Sequence, residues 1–192
     1  MKAGRAAWLS GGLFACAWLA AGCSAIPKAA AMQAHDVPIT AKQPGSLRVV
    51  VSGGQDFEFR ISDAAFEQAL RDSLVETGMF SRVVQVGDAD HRLDVVLGDG
   101  LGLDGRQLTV LWSLSRVDTN ATVWQEFVTS RGRSYHFVGV IRGRRSLEMA
   151  AQENIRLGLE TLSRADLGGA ARADGSASGG AGPGVTELQA AP

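Results

Sequence analysis

Leu108-Thr109-Val110-Leu111-Trp112-Ser113-Leu114-Ser115 is the stretch on which the fold turns. Leu108, Val110, Trp112 and Leu114 fall on one side of an extended chain, while Thr109, Ser113 and Ser115 fall on the other. A side-chain period of two with one apolar face predicts a half-buried β-strand. Upstream, Leu93, Val95 and Leu97 alternate with Arg92 and Asp94, and glycines at 98, 100, 102 and 105 bracket a hairpin loop. Downstream, Asp118-Thr119-Asn120-Ala121 reads as a turn, with Val123 to Thr129 returning as the partner strand. Tyr135 to Ile141 is a further strand candidate.

Outside this run the period changes. Phe66, Leu70, Leu74 and Thr77, with Ala69 between them, make a helical stripe. Ser62 suits its N-cap, Asp63 its positive end, and Gly78 the left-handed residue that closes it. Leu47 to Val51 reads as a strand ended by Gly53-Gly54, and Phe57, Phe59 and Ile61 alternate with Glu58 and Arg60 as a short second strand. Val83 to Val86 reads as another strand. A closing helix is expected from about Ser146 to Ser163, burying Leu147, Ala151, Ile155 and Leu162. The expected class is α+β, a mostly antiparallel sheet with two helices packed on one face.

The two ends differ in kind from this block. Residues 1–22 open with Lys2 and Arg5 and continue as a charge-free apolar run from Ala6, the layout of a secretory leader. The run is shorter than the about 20 apolar residues of a membrane-spanning helix and contains Ser10, Gly11 and Gly12. Residues 23–45, alanine-rich with Pro27, Pro38 and Pro44, read as a flexible tether. Residues 46–164 form one domain-sized block. Residues 165–192, dominated by glycine, alanine and serine, lack the apolar surface to order themselves.

Leu19-Ala20-Ala21-Gly22-Cys23 resembles the lipobox of bacterial lipoproteins, in which small residues precede a cysteine that is acylated and becomes the new N-terminus. The leucine stands one place earlier than the pattern has it. The resemblance implies a lipid anchor at Cys23, and Ser24, where aspartate would favour retention at the inner membrane, implies an outer-membrane, periplasm-facing location. An uncleaved anchor or a soluble secreted protein cut after the same residues are the alternatives. Cys16 lies within the leader, so a processed chain would keep only Cys23 and could form neither an internal disulfide nor a cysteine metal site. Loss of Lys2 and Arg5 would leave 17 basic residues against 20 acidic ones, about −3 in charge, which argues against nucleic acid as a partner.

Catalytic groupings are hard to find. His35, His91 and His136 share no ligand spacing, and neither an HExxH nor a GxSxG motif is present. Asp99 and Asp104 in the glycine-rich stretch could suggest calcium, but Leu101 and Leu103 occupy ligand positions and no closing glutamate follows. The expectation is therefore no enzyme, no metal and no cofactor. One charge cluster stands out: Arg131, Arg133, Arg142, Arg144 and Arg145 crowd the last strands and the start of the closing helix. Positive charge there opposes the helix dipole unless anions are near. Glu148 and Glu153 could pair internally, Arg144 with Glu148 at i,i+4. Otherwise the planar guanidinium forks suit a phosphate-bearing glycolipid or an acidic protein surface.

The succession of tether, strand, a helix such as Phe66-Glu67-Gln68-Ala69-Leu70-Arg71-Asp72-Ser73-Leu74, antiparallel strands and a final helix such as Ala150-Ala151-Gln152-Glu153-Asn154-Ile155 is similar to two groups of envelope lipoproteins. One is the lipopolysaccharide-assembly lipoprotein that plugs an outer-membrane barrel. The other is the auxiliary lipoprotein of lipid-transporting ABC systems. Neither group is enzymatic, so the resemblance implies a scaffold or adaptor of an envelope protein complex anchored through its lipid. A stand-alone lipid- or polysaccharide-binding lipoprotein is the alternative.

Overall fold

The computed structural model describes residues 26–55, 60–98, 107–132, 140–165 and 167, with the backbone alone at 140–142. In chain order the elements are α1 (Ala29–Met32), β1 (Gln43–Ser52), α2 (Asp63–Thr77), β2 (Phe80–Val84), β3 (His91–Leu97), β4 (Gln107–Arg116), β5 (Thr122–Arg131) and α3 (Val140–Arg164). The strands form one sheet in the order β2-β1-β3-β4-β5. β3, β4 and β5 are an antiparallel meander, while β1 runs parallel to both β2 and β3. The antiparallel ladders are the longer ones, and the α+β class with helices on one face is the observed one.

Period-two alternation sorts the side chains. Leu47, Val49, Val51, Leu93, Val95, Leu97, Leu108, Val110, Trp112 and Leu114 face the helices and are buried. α2 meets them with Phe66, Ala69, Leu70 and Leu74, and α3 with Ala151, Ile155, Leu159 and Leu162. Ser62 caps α2 by accepting from the Ala65 N–H at 3.3 Å, and Gly78 closes it at φ 58°. α3 docks by a polar pin in the apolar layer. Trp112 Nε1 donates to Asn154 Oδ1 at 3.1 Å, and Asn154 Nδ2 donates to the Val128 carbonyl at 2.8 Å. One turn on, Gly158 lies against the Trp112 indole so closely that any β-carbon would strike the ring.

Several sequence expectations need correction. The strand expected at 83–86 lies earlier, at 80–84, and Val86 is 86% exposed beyond it. Of the short strand expected around Phe57 and Phe59, residues 56–59 lie outside the described residues, and Ile61 is buried without belonging to a strand. In the strand expected at Tyr135–Ile141, residues 133–139 lie outside the described residues, whereas Val140 and Ile141 already belong to α3. The helix therefore starts six residues before Ser146.

The largest correction concerns the tether expected at 23–45. From Ile26 on the chain is laid into the groove between α2 and α3, with Met32, Ala34 and Val37 buried in the common core. An extended segment needs its backbone groups satisfied, and here side chains of the two helices do it. The Ala34 N–H donates to Ser73 Oγ at 2.9 Å, Gln152 Nε2 donates to the Gln33 carbonyl at 2.8 Å, and the Thr40 N–H donates to Ser163 Oγ at 3.3 Å. At the other terminus Leu167 still packs on the core; residues 168–192, the expected tail, lie outside the described residues.

Candidate functional site

β1, β3 and β5 finish at one end of the sheet, where β4 begins and both long helices start. This upper end is where the arginine-rich sequence falls. Gly132, just past β5, touches the Ser146 backbone of α3; a side chain there would strike the Ser146 carbonyl. The six α3 residues before Ser146 therefore overhang the sheet by roughly 9 Å of helix. Arg144 and Arg145 lie on this overhang, Arg142 lies there by its backbone, and Arg131 ends β5 on the other side of the Gly132 contact.

The five arginines are not one open cluster. Arg144 Nε lies 3.4 Å from Glu148 Oε1, the i,i+4 pair that an early helix start permits. The same Glu148 oxygen accepts from the Lys28 N–H at 3.1 Å, so the entering chain and the arginine share one carboxylate. Glu148 is buried. Arg131 is exposed and reaches only Gln107 Oε1 at 3.5 Å; Arg145 is exposed too. Arg133 and the Arg142 side chain lie outside the described residues, as does Cys23. The local sequence explains the split: on α3 the 144→148 spacing reaches a carboxylate, while 145→149 meets a methionine.

Beside this corner is a shallow recess of about 30 Å³ lined by Gly53, Gly54, Arg60, Ile61, Gly98 and Leu108 among others. Gly53 at φ 89° passes so near the Leu97 carbonyl that no side chain fits. The Gly54 N–H donates to Asp63 Oδ1 at 2.6 Å, which engages the first acid of α2.

The second surface is the sheet face away from the helices, which no described element covers. Register places Val96, Leu111 and Phe127 side by side across β3, β4 and β5, with Phe127 71% and Val96 41% exposed. Lower on the same face Arg48 sits opposite Arg92, with Arg82 on the neighbouring strand. Arg92 is paired to Asp94 at 2.7 Å, whereas Arg48 Nε is enclosed without a hydrogen-bond partner among the described residues. The sequence alternation carries this surface, but Phe127 was hidden in a strand whose two faces look alike.

Of the described residues, His35 and His91 sit at separate places in the fold. His35 Nδ1 is 2.8 Å from Glu76 Oε2, a contact that holds the Glu76 carboxyl below its ordinary range and ties the N-terminal segment to the end of α2. His91 is half-buried against Phe80, ring centroids 5.9 Å apart; burial lowers its pKa, and the Arg116 charge adds to the effect. His136 lies outside the described residues. Among the described residues no three His, Cys, Asp or Glu side chains gather as metal ligands, and no helix is long and apolar enough to cross a membrane.

No protein-family model matches the chain, and no curated protein matches it in sequence. Its architecture is shared with a protein of family DUF330 from Xanthomonas campestris: TM-score 0.55 at 9% identity, over 70% of this chain and 92% of that one. A candidate lipoprotein from Caulobacter crescentus aligns at TM-score 0.42 and 19% identity, over 62% of this chain and 88% of that one. A PelC dodecamer from Paraburkholderia phytofirmans aligns at 0.45 and 18%, over 67% and 94%. At 9% identity what the chain shares with the Xanthomonas protein is the fold alone.

Proposed function

We propose that the chain is a lipid-anchored envelope protein, held at the outer membrane through Cys23 and facing the periplasm, that works without catalysis as a scaffold or adaptor of an assembly or transport complex. The open sheet face carries this reading. Val96, Leu111 and Phe127 make a flat apolar strip on a rigid sheet, a surface suited to contact with another protein and unlike a cleft that encloses a small substrate. The leader and the small residues before Cys23 support the location.

The test is a photo-crosslinking residue placed at Phe127 in the full-length protein in its native membranes, with exposed Val86, beyond β2 at the opposite edge of the sheet, as control. A single envelope partner captured at 127 and not at 86, and lost in Phe127→Glu, is the expected result. Equal capture at both positions, or none, would overturn the adaptor reading.

Arg48 favours a second reading, a stand-alone binder of an anionic lipid or polysaccharide. The half-exposed Arg48 and the exposed Arg82, with Arg92 beside them paired to Asp94, would meet acidic groups on the same face. Binding of such a polymer by the purified protein, abolished by Arg48→Gln with no partner captured at 127, would favour this second reading over the first.

A further inference from the structure

We infer that the corner of the body formed by the end of β5, the overhanging start of α3 and Lys28 lies on the anionic phospholipid headgroups of the membrane that holds Cys23. The inference rests on the anchor reading above and adds an orientation and a ligand chemistry to it.

Chain length is the first ground. Lys28 is five residues from Cys23, so even a fully extended connection places its backbone within about 18 Å of the lipid-bearing residue. The Lys28 N–H is fixed to Glu148, just over two turns into α3, so this connection enters the described body beside the α3 corner. Charge is the second ground. Arg131 and Arg145 are exposed there, and Arg144 and Lys28 stand beside them. The described carboxylate of the corner, Glu148, is buried and already engaged by Lys28 and Arg144. Helix direction is the third ground: α3 starts here and directs the positive end of its dipole the same way.

Distance decides the matter between exposed charges, because ions screen them beyond about 8 Å in physiological salt. A long slack tether would let these arginines drift out of that range. A connection of about 18 Å or less keeps them close enough to the bilayer to come within it. Phosphate is the group their forks fit, and α3 gains the anions that its arginine-rich start calls for.

The experiment uses the lipidated protein in vesicles. A processed chain has no cysteine but the alkylated Cys23, so Thr129→Cys near the corner and Val86→Cys, beyond β2 at the opposite edge of the sheet, accept a fluorophore uniquely. Vesicles of phosphatidylcholine, with or without phosphatidylglycerol, carry a headgroup quencher. The expected result is quenching at 129 and not at 86 in phosphatidylglycerol vesicles. Molar salt, or Arg131→Glu with Arg145→Glu, should shift the docked population on the order of tenfold. Equal quenching at 129 and 86, or quenching at 129 that ignores lipid charge, would overturn the inference; the latter would point to an acidic protein surface as the occupant. The mass of the N-terminal peptide separates the two readings: a peptide without lipid at Cys23 sinks the anchor, whereas a lipidated chain that fails the quenching test sinks only the orientation.

Discussion

Asn154 and Gly158 let an amphipathic helix register on one strand. A buried amide is tolerated because Trp112 and the Val128 carbonyl satisfy it, and the missing β-carbon at 158 leaves room for the indole. Asn154→Ala strips the indole N–H of its acceptor inside the core. The expected loss is about 2 kcal/mol, read as a shift of the urea midpoint followed by Trp112 fluorescence; an unchanged midpoint would mean that the pin is not structural. His91 makes a pH prediction at the same scale. Burial, then Arg116, pushes its folded pKa below the ordinary 6.5, while Asp90 and Asp118 oppose the shift. The unfolded chain therefore takes up a proton first, and stability falls as pH drops through about 6.5 toward the folded value. Asp90, whose carboxyl is held low by the Ser46 N–H and hydroxyl at 2.6 and 2.7 Å, adds a separate loss below about pH 4. His91→Gln should flatten the upper step of a denaturation series against pH and leave the lower one.

Among the elements, legibility followed periodicity. α2 was readable to its caps because Ser62, the 66-70-74 stripe and Gly78 act locally. β3, β4 and β5 were readable because a helix-covered face and an open face force strict alternation. The start of α3 was not, since Val140 and Ile141 prefer strands and Gly143 weakens a helix; the packing of Leu147 and its successors overrides both. The N-terminal segment was unreadable in principle. Met32, Ala34 and Val37 follow no period because an extended chain in a groove is matched to its walls, and a wall such as Ser73 looks like any polar helix residue. Packing of Met32 predicts a cost that a tether would not have. Met32→Ala should remove about 2 to 4 kcal/mol in thermal or urea unfolding, and an effect near zero would restore the tether.

For the whole molecule, alternation could give the sheet but not its order. Nothing local tells β1 to sit between β2 and β3 in parallel, since that arrangement comes from α2 crossing back and from the later meander closing on the other flank. The arginines show the same limit. Their clustering along the chain was plain, but the carboxylate that engages Arg144 and the corner that Arg131 and Arg145 share depend on where α3 starts.

That central placement of β1 has a mechanical side. The segment from Ile26 crosses both helices and then becomes β1, so the described chain runs held from Ile26 to the middle of the sheet. A tug on a lipid at Cys23 would travel along this strap, loading the Lys28, Ala34 and Thr40 hydrogen bonds one after another before reaching a strand gripped on both edges. From Ile26 inward the load path to the core is continuous, and the strap is the part that would peel first.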